Sequence, residues 1–158
     1  MKKFLIFIFC FMAIVSFNTA SHGQNQQLIR ILYINDFHGF AESHKPYGTH
    51  EDKGGIAYLA ALADELRKDK PTLFLAGGDM IQGNNWANLF QGKSVIEVMN
   101  AMNFDAMVLG NHEFDFGQEV LKQRVLEANF PVLSANIKGL DFIKPYIIKE
   151  LSGIRIAI

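Results

Sequence analysis

A single cysteine occurs in the 158 residues, Cys10, and it sits in an apolar stretch near the N-terminus. Beyond that stretch the chain can form no disulfide, which excludes a disulfide-stapled secreted scaffold. Cationic excess is missing too: the formal net charge is −1 at pH 7, so charge gives no support for a nucleic-acid partner. No apolar run reaches the roughly 18 residues that would span a bilayer. No repeat, low-complexity tract or interdomain linker is visible, and no histidine follows His112. The length allows one modest domain.

What is present begins with a leader-like N-terminus. Met1-Lys2-Lys3 is basic, Phe4 to Phe17 is almost entirely apolar, and small and polar residues run from Asn18 to Gln27. That order is the order of a secretory signal peptide, assigned here to residues 1–22. Cleavage is expected between Thr19 and Gly23, and an uncleaved anchor is the alternative. Cys10 lies in the middle of the apolar run, followed by Phe11-Met12-Ala13, the wrong place for a lipid-modified cysteine at a cleavage site. Taking Lys2 and Lys3 from the 15 basic residues leaves 13 against 16 acidic ones, near −3. The expectation is an exported protein, periplasmic, at the cell surface or secreted, with no stable membrane span after cleavage. The lack of disulfides suits a bacterial envelope.

After the leader, strand-like and helix-like segments alternate. Leu28 to Asn35 reads as a buried strand. Phe37 to Lys53 is a long polar loop. Ile56, Leu59, Ala60, Ala63 and Leu66 recur at helical spacing, which predicts a helix over Gly55 to Lys68. Thr72 to Ala76 is a second strand, and Val95, Val98, Met99 and Met102 mark a second helix. Asp105 to Leu109, Gln118 to Ala128 and Pro131 to Ser134 continue as strand, helix and strand. Tyr146 to Leu151 and Arg155 to Ile158 are two further β-like runs. The alternation predicts an α/β fold with right-handed crossovers and a mostly parallel sheet. In such sheets function sits beyond the carboxyl ends of the strands. Those ends carry Asp36 and His38, then Asp79 after Gly77-Gly78, then Asn111, His112 and Glu113 after Gly110, then Asn136.

Each group has a chemical reading and a plainer one. In an extended segment residues i and i+2 point the same way, so Asp36 and His38 would face one point, as a metal site requires. Exposed, unliganded side chains are the plainer reading. Glycine permits positive φ and close approach of the backbone to a ligand, so Gly77-Gly78-Asp79 can present a carboxylate. An ordinary turn or a helix N-cap is the alternative. The amide oxygen of Asn111 is a neutral ligand for a hard or borderline cation. His112 and Asp115 lie three apart, close enough for the carboxylate to orient the imidazole or for the pair to cap the following helix. His44 and His50 can reach the site from the polar loop or remain solvated there. Glu113 and Asn136 read as structural hydrogen-bonding groups.

Together these residues resemble the calcineurin-like metallophosphoesterases. The motifs Asp36-x-His38, Gly77-Gly78-Asp79 and Gly110-Asn111-His112-Glu113 carry the likeness. The stretches NDFHG, GGIAYLAALADELR, GGDMIQG, FDAMVLGNHEFDFG and SANI are similar to the branch holding 5′-nucleotidases and periplasmic UDP-sugar hydrolases. The likeness covers about Leu28 to Ile158. It implies a four-layer α-β-β-α sandwich. It implies two divalent ions (Zn, Mn, Fe or Co), with Asp36 and His38 on the first, Asp79 bridging and Asn111 on the second. His112 would contact the phosphoryl group, with Asp115 holding it protonated. Two ions roughly 3.5–4 Å apart can polarise a phosphoryl group and present water for in-line attack. The class needs no covalent phospho-enzyme, in keeping with the lack of a nucleophilic Ser or Cys beside the motifs. Nucleotides are the implied substrate class, with 2′,3′-cyclic nucleotides and UDP-sugars as alternatives.

The resemblance also implies later histidine motifs and a C-terminal nucleoside-recognition domain, neither of which is found here. The second metal would keep only Asp79 and Asn111. The expectation is a 28–158 segment that forms the N-terminal part of the phosphoesterase domain, incomplete at its C-terminus. The chain is then a partial record of a hydrolase holding about half its site. The alternative is a truncated non-catalytic module that binds metal or nucleotide weakly, with a surface adhesin as a third reading.

Overall fold

The computed structural model describes residues 27–158. The expected leader at 1–22, Cys10 included, lies outside them. Four strands form a parallel sheet in the order β1-β2-β3-β4: Arg30–Ile34, Thr72–Ala76, Ala106–Val108 and Val132–Leu133. The crossovers are helical. Helix α1, Ile56–Leu66, joins β1 to β2; α2, Asn85–Asn88, and α3, Lys93–Ala101, join β2 to β3; α4, Gln118–Glu127, joins β3 to β4. Strands β5, Ile148–Leu151, and β6, Ile154–Ala157, form a separate antiparallel pair. The predicted α/β class and parallel sheet are therefore observed. Helix α2 is an element that the apolar spacing did not announce.

Strand order and side-chain alternation decide where the core lies. Neighbouring strands follow one another in sequence, and right-handed crossovers stepping in one direction put their helices on one face. On that face Leu32, Ile34, Phe74, Ala76, Met107 and Val132 meet Ala63 of α1 and Val95, Ile96 and Met99 of α3. Phe74 stacks on Phe104, ring centroids 3.8 Å apart. Burying a side chain of this size contributes roughly 1.5–3 kcal/mol. Helix α3 stops where Asn103 takes φ 54°, a left-handed end that asparagine tolerates.

The opposite face differs. Ile31 and Tyr33 of β1 are each 60% exposed, so the expectation of a buried first strand holds for only one side of it. The physical reason is alternation: Leu32 and Ile34 point to the helix-covered face, while Ile31 and Tyr33 point to the opposite face, where Val108 of the inner strand β3 is exposed as well. Tyr33, Leu75, Ala106, Val108 and Leu133 line an apolar hollow of about 230 Å³ closed in part by Pro145 and Ile158. At the far end of β1, Arg30 is paired with Asp69 and donates to the Leu66 carbonyl. Among the described residues no helix is long and apolar enough to cross a membrane.

Candidate active site

Parallel strands end on one edge, and the chain carries the polar residues there by tight turns. Gly77 N donates to the Ile34 carbonyl at 2.7 Å, and Asp36 N to the Gly78 carbonyl at 3.1 Å. His38 N then donates to the Asp79 carbonyl at 3.1 Å. The segments after β1 and β2 are thus laced together beyond the sheet. Asp36, His38 and Asp79 all adopt left-handed backbone, with φ of 51°, 49° and 55°. Such conformations cost on the order of 1–3 kcal/mol each in a non-glycine residue, and they concentrate where function demands a geometry. Extended alternation therefore does not describe the Asp36-x-His38 pair. The strand has already ended at Ile34, so the two side chains do not converge by extended alternation. They converge because two left-handed residues curl the chain, bringing Asp36 Oδ1 to 3.7 Å from His38 Nε2.

Each imidazole is oriented by a partner on its other nitrogen. His38 Nδ1 lies 2.8 Å from the Gln82 carbonyl, which leaves Nε2 facing the site. His112 Nδ1 lies 2.7 Å from Asp115 Oδ2, within a short 3-10 turn over His112–Phe114. That hydrogen bond raises the His112 pKa, against a lesser desolvation effect, and the charges of Asp115, Asp79 and Glu113 add to the rise. Helix α4 begins at Gly117 with no side-chain cap, so the alternative capping role for His112 and Asp115 is not seen. Asp79 is not a helix cap either: its Oδ1 accepts from His112 N at 2.9 Å.

Donor atoms of His38, Asp79 and His112 all lie within 4.8 Å of one another. The two histidine rings meet edge to face, 5.1 Å between centroids. A mixed set of imidazole nitrogens and a carboxylate oxygen fits a borderline divalent cation. Asp36, more than half exposed, stands beside this cluster through His38, and the exposed Asn111 directly precedes His112. His112 therefore sits inside the donor cluster, where the sequence placed it beside the metals. Among the described residues, neither His44 nor His50 belongs to that cluster. His44 pairs by backbone with Lys53 and sets its ring against Phe40, and His50 is exposed. Asn136 accepts from Ser134 Oγ at 3.0 Å, and Glu113 is buried and hydrogen-bonded. The orienting Gln82 carbonyl was invisible to residue typing, because any residue supplies one.

The chain is similar to known proteins over most of its length. A family model described as calcineurin-like phosphoesterase matches residues 29–153. A 5′-nucleotidase from Bos taurus is 41% identical over 133 residues, which cover 80% of this chain and 22% of that protein. A NAD 5′-nucleotidase from Haemophilus influenzae is 41% identical over 143 residues, covering 82% of this chain and 24% of its own length. The crystal structure of a 5′-nucleotidase precursor from Thermus thermophilus superposes with a TM-score of 0.73 at 33% identity, over 80% of this chain and 27% of that one. The chain thus spans about a quarter or less of the curated relatives it matches.

Proposed function

This chain belongs to the calcineurin-like phosphoesterase family, and on that premise we propose that it forms the first part of a metal-dependent site hydrolysing nucleotide phosphoesters. The observation that carries the reading is the convergence of His38, Asp79 and His112 donors within 4.8 Å at the carboxyl edge of the sheet. Asp36, His38 and Asp79 are assigned to a first divalent ion, and Asp79 with Asn111 to a second. Bound there, two such ions supply polarisation of the phosphoryl oxygens and acidification of a water for in-line attack.

The chain's own residues hold and orient. The Gln82 carbonyl on His38 Nδ1 fixes the tautomer that exposes Nε2 as a ligand. Asp79 uses Oδ1 to hold the His112 amide, which leaves its second oxygen free for sharing. Asp115 on His112 Nδ1 directs Nε2 toward the cluster, where it would donate to a phosphoryl or leaving oxygen. The Zn, Mn, Fe or Co choice follows from mixed nitrogen and oxygen donors. The leader at 1–22 is proposed to direct export, and a nucleotide is proposed as the small-molecule substrate, in line with the likeness to 5′-nucleotidases.

Equilibrium dialysis against Mn²⁺ tests the metal reading. Saturable binding is expected in the chain and should be lost in Asp79→Ala. No saturable binding in the parent chain would overturn the assignment. Because His112 is the last histidine in the sequence, the second ion has few ligands here, and little phosphate release from AMP is expected of this polypeptide alone. Robust AMP hydrolysis, abolished by Asp79→Ala, would sink the half-site reading.

A further inference from the structure

One carboxylate that the proposed chemistry does not use is the most deeply buried polar side chain near the site. Glu113 is 1% exposed. Its Oε1 accepts from Met80 N at 2.7 Å and, at a longer 3.4 Å, from Ile81 N. Its Oε2 accepts from Asp79 N at 2.8 Å and from Gly110 N at 2.7 Å. Among the described ion pairs none includes Glu113, so its charge is met by backbone N–H groups. These amides belong to two different strand-to-helix connections, one after β2 and one after β3. A single oxygen, Oε2, therefore ties them together.

We infer that Glu113 is the positioning residue that sets the spacing between Asp79 and the Asn111–His112 segment, and through it the geometry of the metal donors. The two connections touch with no side chain between them: a Cβ on Gly78 would stand 2.4 Å from Gly110 N. The Asp79 and Gly110 N–H groups that face this junction are both donors and cannot pair with each other. An acceptor from beneath is required, and Glu113 is the residue that the His112–Phe114 turn aims inward. The result is a closed loop of bonds. Glu113 holds Asp79 N, Asp79 Oδ1 holds His112 N, and His112 is joined to Glu113 by the chain. With its amide fixed, Asp79 keeps its left-handed φ of 55°. In this dry setting the bonds are electrostatically stronger than in water, and a lost acceptor leaves several donors unpaired. Glutamine in place of Glu113 keeps the shape but turns one acceptor into an NH₂ donor facing N–H donors.

The inference rests on the proposed metal reading only for its metal arm, and two measurements separate them. The first is amide hydrogen exchange in the metal-free parent chain. Asp79, Met80 and Gly110 amides are expected to exchange as slowly as the core amide of Met107, through global unfolding alone. Exchange orders of magnitude faster than Met107 overturns the clamp, whether or not metal binds. The second is Mn²⁺ affinity by equilibrium dialysis. Glu113→Gln is expected to weaken it about 10–100-fold, the usual effect of losing a partner behind a ligand. Phe130→Leu, which loosens the core against Phe104 just ahead of β4, at the end of the sheet opposite the carboxyl edge, controls for lost stability and should stay within about twofold of the parent. Equal Mn²⁺ affinity in Glu113→Gln and the parent overturns the role, as does an equal loss in Phe130→Leu. Should Glu113→Gln fail to fold, the exchange result decides. Should the parent bind no Mn²⁺, the metal assignment falls while the exchange result still tests the clamp.

Discussion

Where β2 and β3 end, a Cβ on Gly78 would lie 2.4 Å from the Gly110 nitrogen, whereas in the connection after β1 a Cβ on Gly48 would meet nothing within 4 Å. The first region is a solid shoulder, its loops pressed together over a buried carboxylate. The second is anchored at its start by Phe37 on the core and buried Gly39 against Ala87, and past Phe40 it is a largely exposed polar loop whose ladder-like feature is the His44–Lys53 bridge. Asp79 and His112 come from the first, Asp36 and His38 from the second. The difference teaches how such a site is held. One side is a rigid reference, and the other side is fastened to it by a few backbone bonds, His38 N to the Asp79 carbonyl among them.

Glycine substitutions test the contrast most severely. Gly78 and Gly48 both have positive φ, 94° and 77°, so alanine strains the backbone at either. Only at Gly78 does the new methyl also meet fixed backbone. Gly78→Ala should therefore lose roughly 1–3 kcal/mol more than Gly48→Ala in urea unfolding, the usual cost of overpacking. Equal losses would show that the two connections are equally yielding.

A smaller effect is expected where the two regions are buttressed. Asn84 caps α2 by accepting from Trp86 N at 3.1 Å, and its own N–H donates to the His38 carbonyl at 2.7 Å. Asn84→Ala removes the cap and keeps the backbone bond. Stability should fall by about 1 kcal/mol, while the Mn²⁺ affinity of the chain stays near the parent value. A parallel loss of affinity would mean that α2, and not the β2–β3 shoulder alone, sets the position of His38.

The smallest effect concerns the far end of β1. The Arg30 guanidinium, and after it Lys70, hold the Asp69 carboxyl well below its ordinary range. A carboxylate with a depressed folded-state pKa contributes stability above its unfolded pKa and loses it as pH falls through the folded value. Asp69→Asn should thus remove a small stabilisation that is fully present at neutral pH, and its difference from the parent should shrink as pH falls below the usual aspartate range. Because the pair is exposed, added salt should shrink the difference. An effect on Mn²⁺ binding would be unexpected at this distance from the carboxyl edge.

Much of this arrangement was legible in residue types. Thr72 to Ala76 was readable as a strand because its residues are apolar and short in run, and it is one. The helix over Ile56–Leu66 followed from the spacing of Ile56, Leu59, Ala60 and Ala63. The pairing of His112 with Asp115 followed from their separation by three. Helix α2 escaped notice because Asn85–Asn88 has too few apolar positions to show a period. The half-exposure of β1 is not legible because an apolar run looks the same whether one face of a sheet is covered or both. Asp36 and His38 lie near each other through a left-handed backbone that extended alternation does not foresee, since positive φ at a non-glycine residue has no compositional mark.

By itself the amino-acid order determined the alternation of strands and helices, the edge on which the polar motifs gather, and the family likeness those motifs carry. Those properties depend on local spacing and on residue chemistry, and both are written along the chain. Only the tertiary structure decided that Asp79, Met80 and Gly110 share one buried carboxylate, that His112 enters the donor cluster, and that one sheet face meets helices while Ile31 and Tyr33 stand exposed on the other. The reason is that backbone N–H groups are identical in every non-proline residue. Which acceptor they find depends on the packing of segments more than thirty residues apart.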